Sequence, residues 1–209
     1  MFASLSVLTM TIPLSATTLF SDLGTGSDVF SRTGSVLVTD NIWHGDSFTV
    51  AGAGDFLLDQ IDLGVEKNGS GTSFEASIWT DASGALGSKL GSWDLTASAT
   101  SCCGLATQSG ISGVTLTGGT SYWIVLSGRS GGNIFWDAAG DGSTGDALVS
   151  SDSGAGWSLR RNETRLAFDV MGTAAETSAP EPGSLILAGM GIAGLLAFAG
   201  LRRRHEQQC

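Results

Sequence analysis

Ile61-Asp62-Leu63-Gly64-Val65-Glu66 alternates apolar residues with polar residues or glycine, and Phe74-Glu75-Ala76-Ser77-Ile78-Trp79 repeats the pattern. A period of two sends Ile61, Leu63 and Val65 to one face of an extended chain and Asp62, Gly64 and Glu66 to the other, as in a half-buried antiparallel strand. Val114 and Leu116 alternate with Thr115 and Thr117 in the same way. So do Leu166, Phe168 and Val170 with Arg165, Ala167 and Asp169. Tyr122-Trp123-Ile124-Val125-Leu126 is apolar on both faces, which suits a central strand. Ser47–Val50, Leu90–Leu95 and Asn133–Asp137 are further strand candidates. Gly-rich turn signals separate these runs, among them 67–71, 81–84, 117–120, 128–132 and 140–142. No helical pattern of ten or more residues precedes Pro180. The expected fold is all-β: an antiparallel β-sandwich, jelly-roll-like, over residues 17–172.

The C-terminal end has a different character. Pro180-Glu181-Pro182 is followed by an apolar run from Ser184 to Leu201, then by Arg202-Arg203-Arg204. As a helix the run 184–201 would span about 27 Å, close to the ~30 Å of a bilayer's hydrocarbon core. It carries no charge and no polar face, unlike a globular core helix. A transmembrane helix is therefore expected over 184–201. A linker at 173–183 holds the Pro-Glu-Pro motif, and 202–209 forms a basic cytoplasmic tail. Clustered arginines stay on the cytoplasmic side, so the domain before Pro180 is expected outside.

Motif, apolar run and basic cluster, in this order, resemble the PEP-CTERM sorting signal of exported bacterial proteins. That resemblance implies a partner, an exosortase peptidase that cuts near Pro180, Glu181 and Pro182. It also implies a precursor held in the inner membrane transiently before release to the cell surface or exterior. The alternative is a permanent anchor that is never cut. The middle of the chain resembles the choice-of-anchor R domain through Phe74–Trp79, the turn Gly84-Ala85-Leu86-Gly87, Leu90-Gly91-Ser92 and Leu116 to Trp123. That resemblance implies an exported domain ahead of an interchangeable sorting signal, and no activity.

Residues 1–16 look like the apolar part of a signal peptide ending in Leu14-Ser15-Ala16. No Lys or Arg precedes Arg32, so the positive region of such a signal is missing and a start further upstream is expected. The net charge is −10, and eighteen of the twenty acids lie between Thr17 and Ala179 with seven of the ten basic residues. Nucleic acid is excluded as a partner, because phosphate binding needs clustered basic residues.

Few residues offer chemistry. His205 lies in the tail, which leaves His44 as the exported histidine, read as part of a polar loop beside Trp43. No Gly-x-Ser-x-Gly elbow accompanies it, and no pair of carboxylates stands out, so no enzyme and no catalytic residue are expected. The acidic stretch with Asp137, Asp141 and Asp146 is the one calcium candidate. It fails the EF-hand pattern at Ala139 and Leu148, and a solvated turn is the preferred reading. Otherwise no cofactor is expected. Trp79 sits on the polar side of its strand and is the candidate for stacking on a sugar ring, although the six tryptophans are expected mainly to fill the core or cover its ends. Cys102 and Cys103 are adjacent: a vicinal disulfide staple, a redox switch and two free thiols all remain open. Two functions follow: a non-enzymatic surface or extracellular-matrix protein, or a carbohydrate-binding module acting on exopolysaccharide.

Overall fold

The computed structural model describes residues 15–23, 30–102 and 104–175. Among them are thirteen strands and no helix. All the pairings are antiparallel, and they form two sheets. The first contains β1 (Thr17–Ser21), β2 (Phe30–Thr39), β4 (Asp55–Lys67), β7 (Leu105–Ser109), β8 (Thr115–Thr117), β10 (Asn133–Ala139) and β13 (Phe168–Ala174). Its path is β1-β13-β4-β10-β2, with β7 and β8 also paired to β4. The second runs β12 (Ser158–Thr164), β11 (Thr144–Ser150), β3 (Trp43–Thr49), β9 (Ser121–Gly128), β5 (Ser73–Asp81) and β6 (Leu86–Thr96). The expected sandwich is thus present as two antiparallel sheets. The segments expected to form a transmembrane helix (184–201) and a basic tail (202–209), the Pro-Glu-Pro motif, and residues 1–14 of the expected signal peptide lie outside the described residues.

The alternating residues fill the space between the sheets. Ile61, Leu63, Phe168 and Val170 from one sheet meet Phe48, Phe74, Ile78 and Ile124 from the other in one buried cluster. Phe168 is the aromatic hub. Its ring stacks on Phe20 at 4.9 Å, meets Phe48 edge-on at 5.8 Å and lies 6.0 Å from Trp136. The Trp136 indole N–H donates to the Ala167 carbonyl at 3.1 Å, which satisfies its one polar atom. Tyr122–Leu126 lies in β9, buried on both faces between β3 and β5, as a central strand must.

Several strands are longer than their periodicity suggests. β4 begins at Asp55 because its phase changes: Phe56 and Leu58 are buried, then Ile61, Leu63 and Val65. The pairing with β13 shifts register at this point, between Met171 and Gly172, and such a bulge breaks the alternation that marks a strand in sequence. β13 extends through Thr173 and Ala174, which pair with Leu57 and Phe56, so the expected linker at 173–183 begins later than its polar composition implied. Glu66, Glu75 and Ser77, read as solvent-facing, are buried. The outer face of the second sheet is itself covered. Trp123, Val125 and Leu148 form a second cluster there, with Trp79, Leu86 and Trp157 packed around it. The Trp123 N–H donates to Asp81 Oδ1 at 2.7 Å, and the Gly84 N–H donates to the same oxygen at 2.9 Å, which ties the β5–β6 turn to that face.

Candidate functional site

The two sheets do not cover one another completely. His44 pairs with Val149 and Leu126, and Asp46 pairs with Ala147 and Ile124. Ala147 in turn pairs with Arg160 of β12. Directly paired residues share a face, so His44, Asp46 and Arg160 lie on the face of Ile124 and Leu126, which is the core face. Across from them stands β2, the last strand of its sheet's path. Its pairing with β10 jumps from Trp136↔Val36 to Ala138↔Ser31, leaving 32–35 as a bulge opposite Asp137. Gly34 makes that bulge with φ +93°, a conformation an L side chain rarely adopts. Where the bulge ends the cover, a cleft of about 220 Å³ opens between β2, β3, β11 and β12, lined by His44, Arg160, Glu163 and Thr164 with Val36 and Leu166.

Burial, with the Arg160 charge adding to it, lowers the His44 pKa to about 4, and the Leu37 backbone opposes the shift. The ring is uncharged at neutral pH. His44 is therefore not a loop residue, as its polar neighbours suggested, but a strand residue on the inner face. Its periodicity with Asp46 and Phe48 was the signal available in the sequence. Arg160 and Glu163 are exposed, and neither makes a hydrogen bond or an ion pair among the described residues.

Beside the cleft, Arg165 holds a buried acidic pair. Its guanidinium reaches Asp46 Oδ1 at 3.3 Å and Asp22 Oδ2 at 3.6 Å, and it donates to the Ser47 carbonyl. The other Asp46 oxygen accepts the Leu166 N–H at 2.7 Å. Burial outweighs these contacts and raises the Asp46 carboxyl to about 7 and Asp22 to about 6. Arg165 also lies over the Phe20 ring at 5.2 Å, which fixes the cation between core and cleft.

The calcium candidates are not brought together. Asp137 is fully buried in β10. Asp141 caps its own turn, accepting the Ser143 N–H at 2.8 Å, and this bond holds its carboxyl below the usual range. Asp146 stands on β11, 3.8 Å from Arg161. No group of three His, Cys, Asp or Glu able to hold a metal occurs among the described residues. The sugar-stacking candidate Trp79 is partly buried. Its N–H donates to Ser77 Oγ at 2.9 Å and the Lys89 ammonium lies 5.1 Å from its ring centre, so the side chain is engaged within its own sheet. Lys89 also pairs with Glu75 at 2.9 Å, and Arg129 closes on the same carboxylate. Cys102 is disulfide-bonded, which removes a free thiol there, and Cys103 lies outside the described residues.

Comparison with known proteins adds a match at one end of the chain. No curated protein matches it. A solved structure of the cysteine protease and lectin-like domains of Cwp84, a surface layer associated protein of Clostridium difficile, is similar at 12% identity and a TM-score of 0.39. The alignment covers 69% of this chain and 37% of that one, and a likeness at this level carries no argument. Residues 178–204 match the PEP-CTERM protein-sorting motif, and this match supports an exported protein sorted through an exosortase.

Proposed function

We propose that the chain is a non-enzymatic surface or extracellular-matrix protein. In this reading it is carried through the inner membrane by residues 1–16, held there by a helix over 184–201, and released by an exosortase near Pro180-Glu181-Pro182. The observation that carries it is the sorting-motif match at 178–204, which spans that motif, the apolar run and Arg202-Arg203-Arg204. The prolines resist extension of a helix into the motif and leave a strand-like segment that a peptidase can grip. The β-sandwich is the exported cargo, of choice-of-anchor R type, and works without a cofactor, calcium included. Mass spectrometry of the mature protein from its native host tests the sorting. The expected species lacks Arg202–Cys209 and most of the apolar run. Replacing Pro180-Glu181-Pro182 by alanines should leave a larger, membrane-bound form. A mature surface protein that keeps an intact C-terminus would overturn the reading.

The second reading, a carbohydrate-binding module, is favoured by one observation. This is the polar inter-sheet cleft at His44, Arg160 and Glu163 rather than Trp79.

A further inference from the structure

We propose that the cleft between β2 and β12 is the binding site for a single neutral sugar unit of a glycan, held by Arg160, Glu163 and His44. The inference rests on the carbohydrate reading and not on the sorting reading.

Size comes first. At about 220 Å³ the cleft is smaller than the ~300–1,000 Å³ usual for drug-sized ligands, and suits one ring rather than an oligomer. Charge comes next. Arg160 and Glu163 bring one charge of each sign, and burial keeps His44 uncharged, so the lining has no net charge. The chain as a whole carries −10, which opposes an anionic ligand at long range. A neutral molecule meets neither obstacle.

The polar groups then choose among neutral molecules. Arg160 supplies only donors, Glu163 only acceptors, and Thr164 both. An uncharged imidazole whose N–H is engaged by the Leu37 backbone adds one acceptor nitrogen. Sugar hydroxyls donate and accept, so vicinal hydroxyls can use each of these groups at once. Val36, Val149 and Leu166 offer aliphatic surface for the C–H faces of a ring. Neither the Arg160 nor the Glu163 side chain makes a hydrogen bond or an ion pair among the described residues, so their donors and acceptors are open to a ligand. His44 and Arg160 stand on paired strands, not on a loop, which fixes their spacing before a ligand arrives.

His44 also provides the reporter. In a His205→Ala background of the full chain, kept in detergent and carrying a tag free of histidine, it is the sole imidazole. Long-range ¹H–¹⁵N spectra of that ring would be followed while cellotriose, maltotriose and mannotriose are titrated, with calorimetry in parallel. The expected result is a saturable shift of the His44 signals with at least one of these glycans. Arg160→Ala and Glu163→Ala should each weaken binding at least tenfold while the melting temperature stays within about 2 °C, as for other exposed side chains. Binding by calorimetry that leaves His44 unmoved, or that survives both substitutions, would overturn the site and leave the carbohydrate reading standing. No binding of any neutral glycan would overturn both. Saturation by galacturonate or by free leucine, with none by the neutral glycans, would overturn the ligand class.

Discussion

Around Phe168 the gap between the sheets is packed with rings. Between β2 and β12 the same gap opens on His44 and Arg160. The two regions use the same geometry, since each is a row of inward-facing residues on paired strands. They differ in cover. Under β13 and β4 the inward positions are Phe48, Ile124 and Phe168, all buried to within 1%. Toward the bulged edge of β2 they become Asp46, still buried and held by Arg165, and then His44 and Arg160, which line the cleft. Inward positions are thus apolar in the middle of the sandwich and turn polar toward the edge of the cover, where Asp46 is still buried but carries its own cation and N–H partners. A sandwich whose sheets differ in extent carries a ready-made polar cleft at the mismatch, on rigid strands rather than on loops.

The closed end is the more sensitive of the two to substitution. Phe168→Ala removes a fully buried ring that touches Phe20, Phe48 and Trp136, and should cost about 3–5 kcal/mol, read from urea unfolding. A loss below about 1 kcal/mol would mean the aromatic cluster is not the centre of the core. At the seam, Arg165→Met keeps the length of the side chain but leaves Asp46 and Asp22 without their cation. The cost should be about 3 kcal/mol at pH 8, where both carboxyls must ionise in place, and smaller at pH 5, where they hold protons. An equal cost at the two pH values would remove the burial argument for these acids.

The next test sharpens the seam by its pH dependence. Asp46 and Asp22 have folded pKa values of about 7 and about 6, raised from an ordinary 3.8. Their contribution is complete below pH 3.8 and is lost as pH rises toward 7, because the unfolded chain releases those protons first. His44 runs the opposite way. Its folded value of about 4 lies below an ordinary 6.5, so its contribution is complete above pH 6.5 and is lost as pH falls toward 4. The two slopes oppose each other across the same window. Asp46→Asn should therefore lose stability on acidification relative to the wild type, and His44→Gln should gain it. Between pH 7 and 4.5 the two opposite effects add, and the two variants should diverge by roughly 4–5 kcal/mol in urea titrations. Parallel profiles would show that neither burial shifts titration here.

These contrasts explain which parts of the molecule the sequence discloses. Ile61–Val65, Phe74–Ile78 and Leu166–Val170 are legible because one unbroken period of two survives along each strand. β12, Ser158–Thr164, is exposed throughout and has no apolar face to betray it. β2 is interrupted by its bulge at 32–35, and β4 changes phase at Asp59, so their true lengths are hidden. The cleft was hidden for a related reason. His44 and Asp46 do keep the strand period with Phe48, but polar residues at inward positions read as a loop unless one knows that the opposite sheet ends there. The acidic stretch from Asp137 to Asp146 misleads in the other direction. Its acids are close in sequence, yet the chain crosses here from one sheet to the other, with Asp137 buried in β10 and Asp146 on β11.

The smallest effect is expected at the rim of the cleft, and it tests the comparison from the open side. Arg160 and Glu163 share the inward face with core residues, so a reading by register alone would make them part of the packing. Their exposure and lack of partners among the described residues argue otherwise. Removing an exposed, unpaired charge forfeits little Coulomb energy and frees side-chain entropy. Arg160→Ala and Glu163→Ala should each change unfolding free energy by no more than about 0.5 kcal/mol. Arg160→Ala has a second, independent consequence. With the nearby positive charge gone, the His44 pKa should move up from about 4 toward its ordinary value, though burial keeps it below that. ¹H–¹⁵N titration of the imidazole reads this directly. A loss near 2 kcal/mol from either substitution would place these side chains in the core and erase the distinction between the closed and open ends. A His44 titration unchanged by Arg160→Ala would leave the stability contrast intact but separate the two groups that the cleft is meant to join.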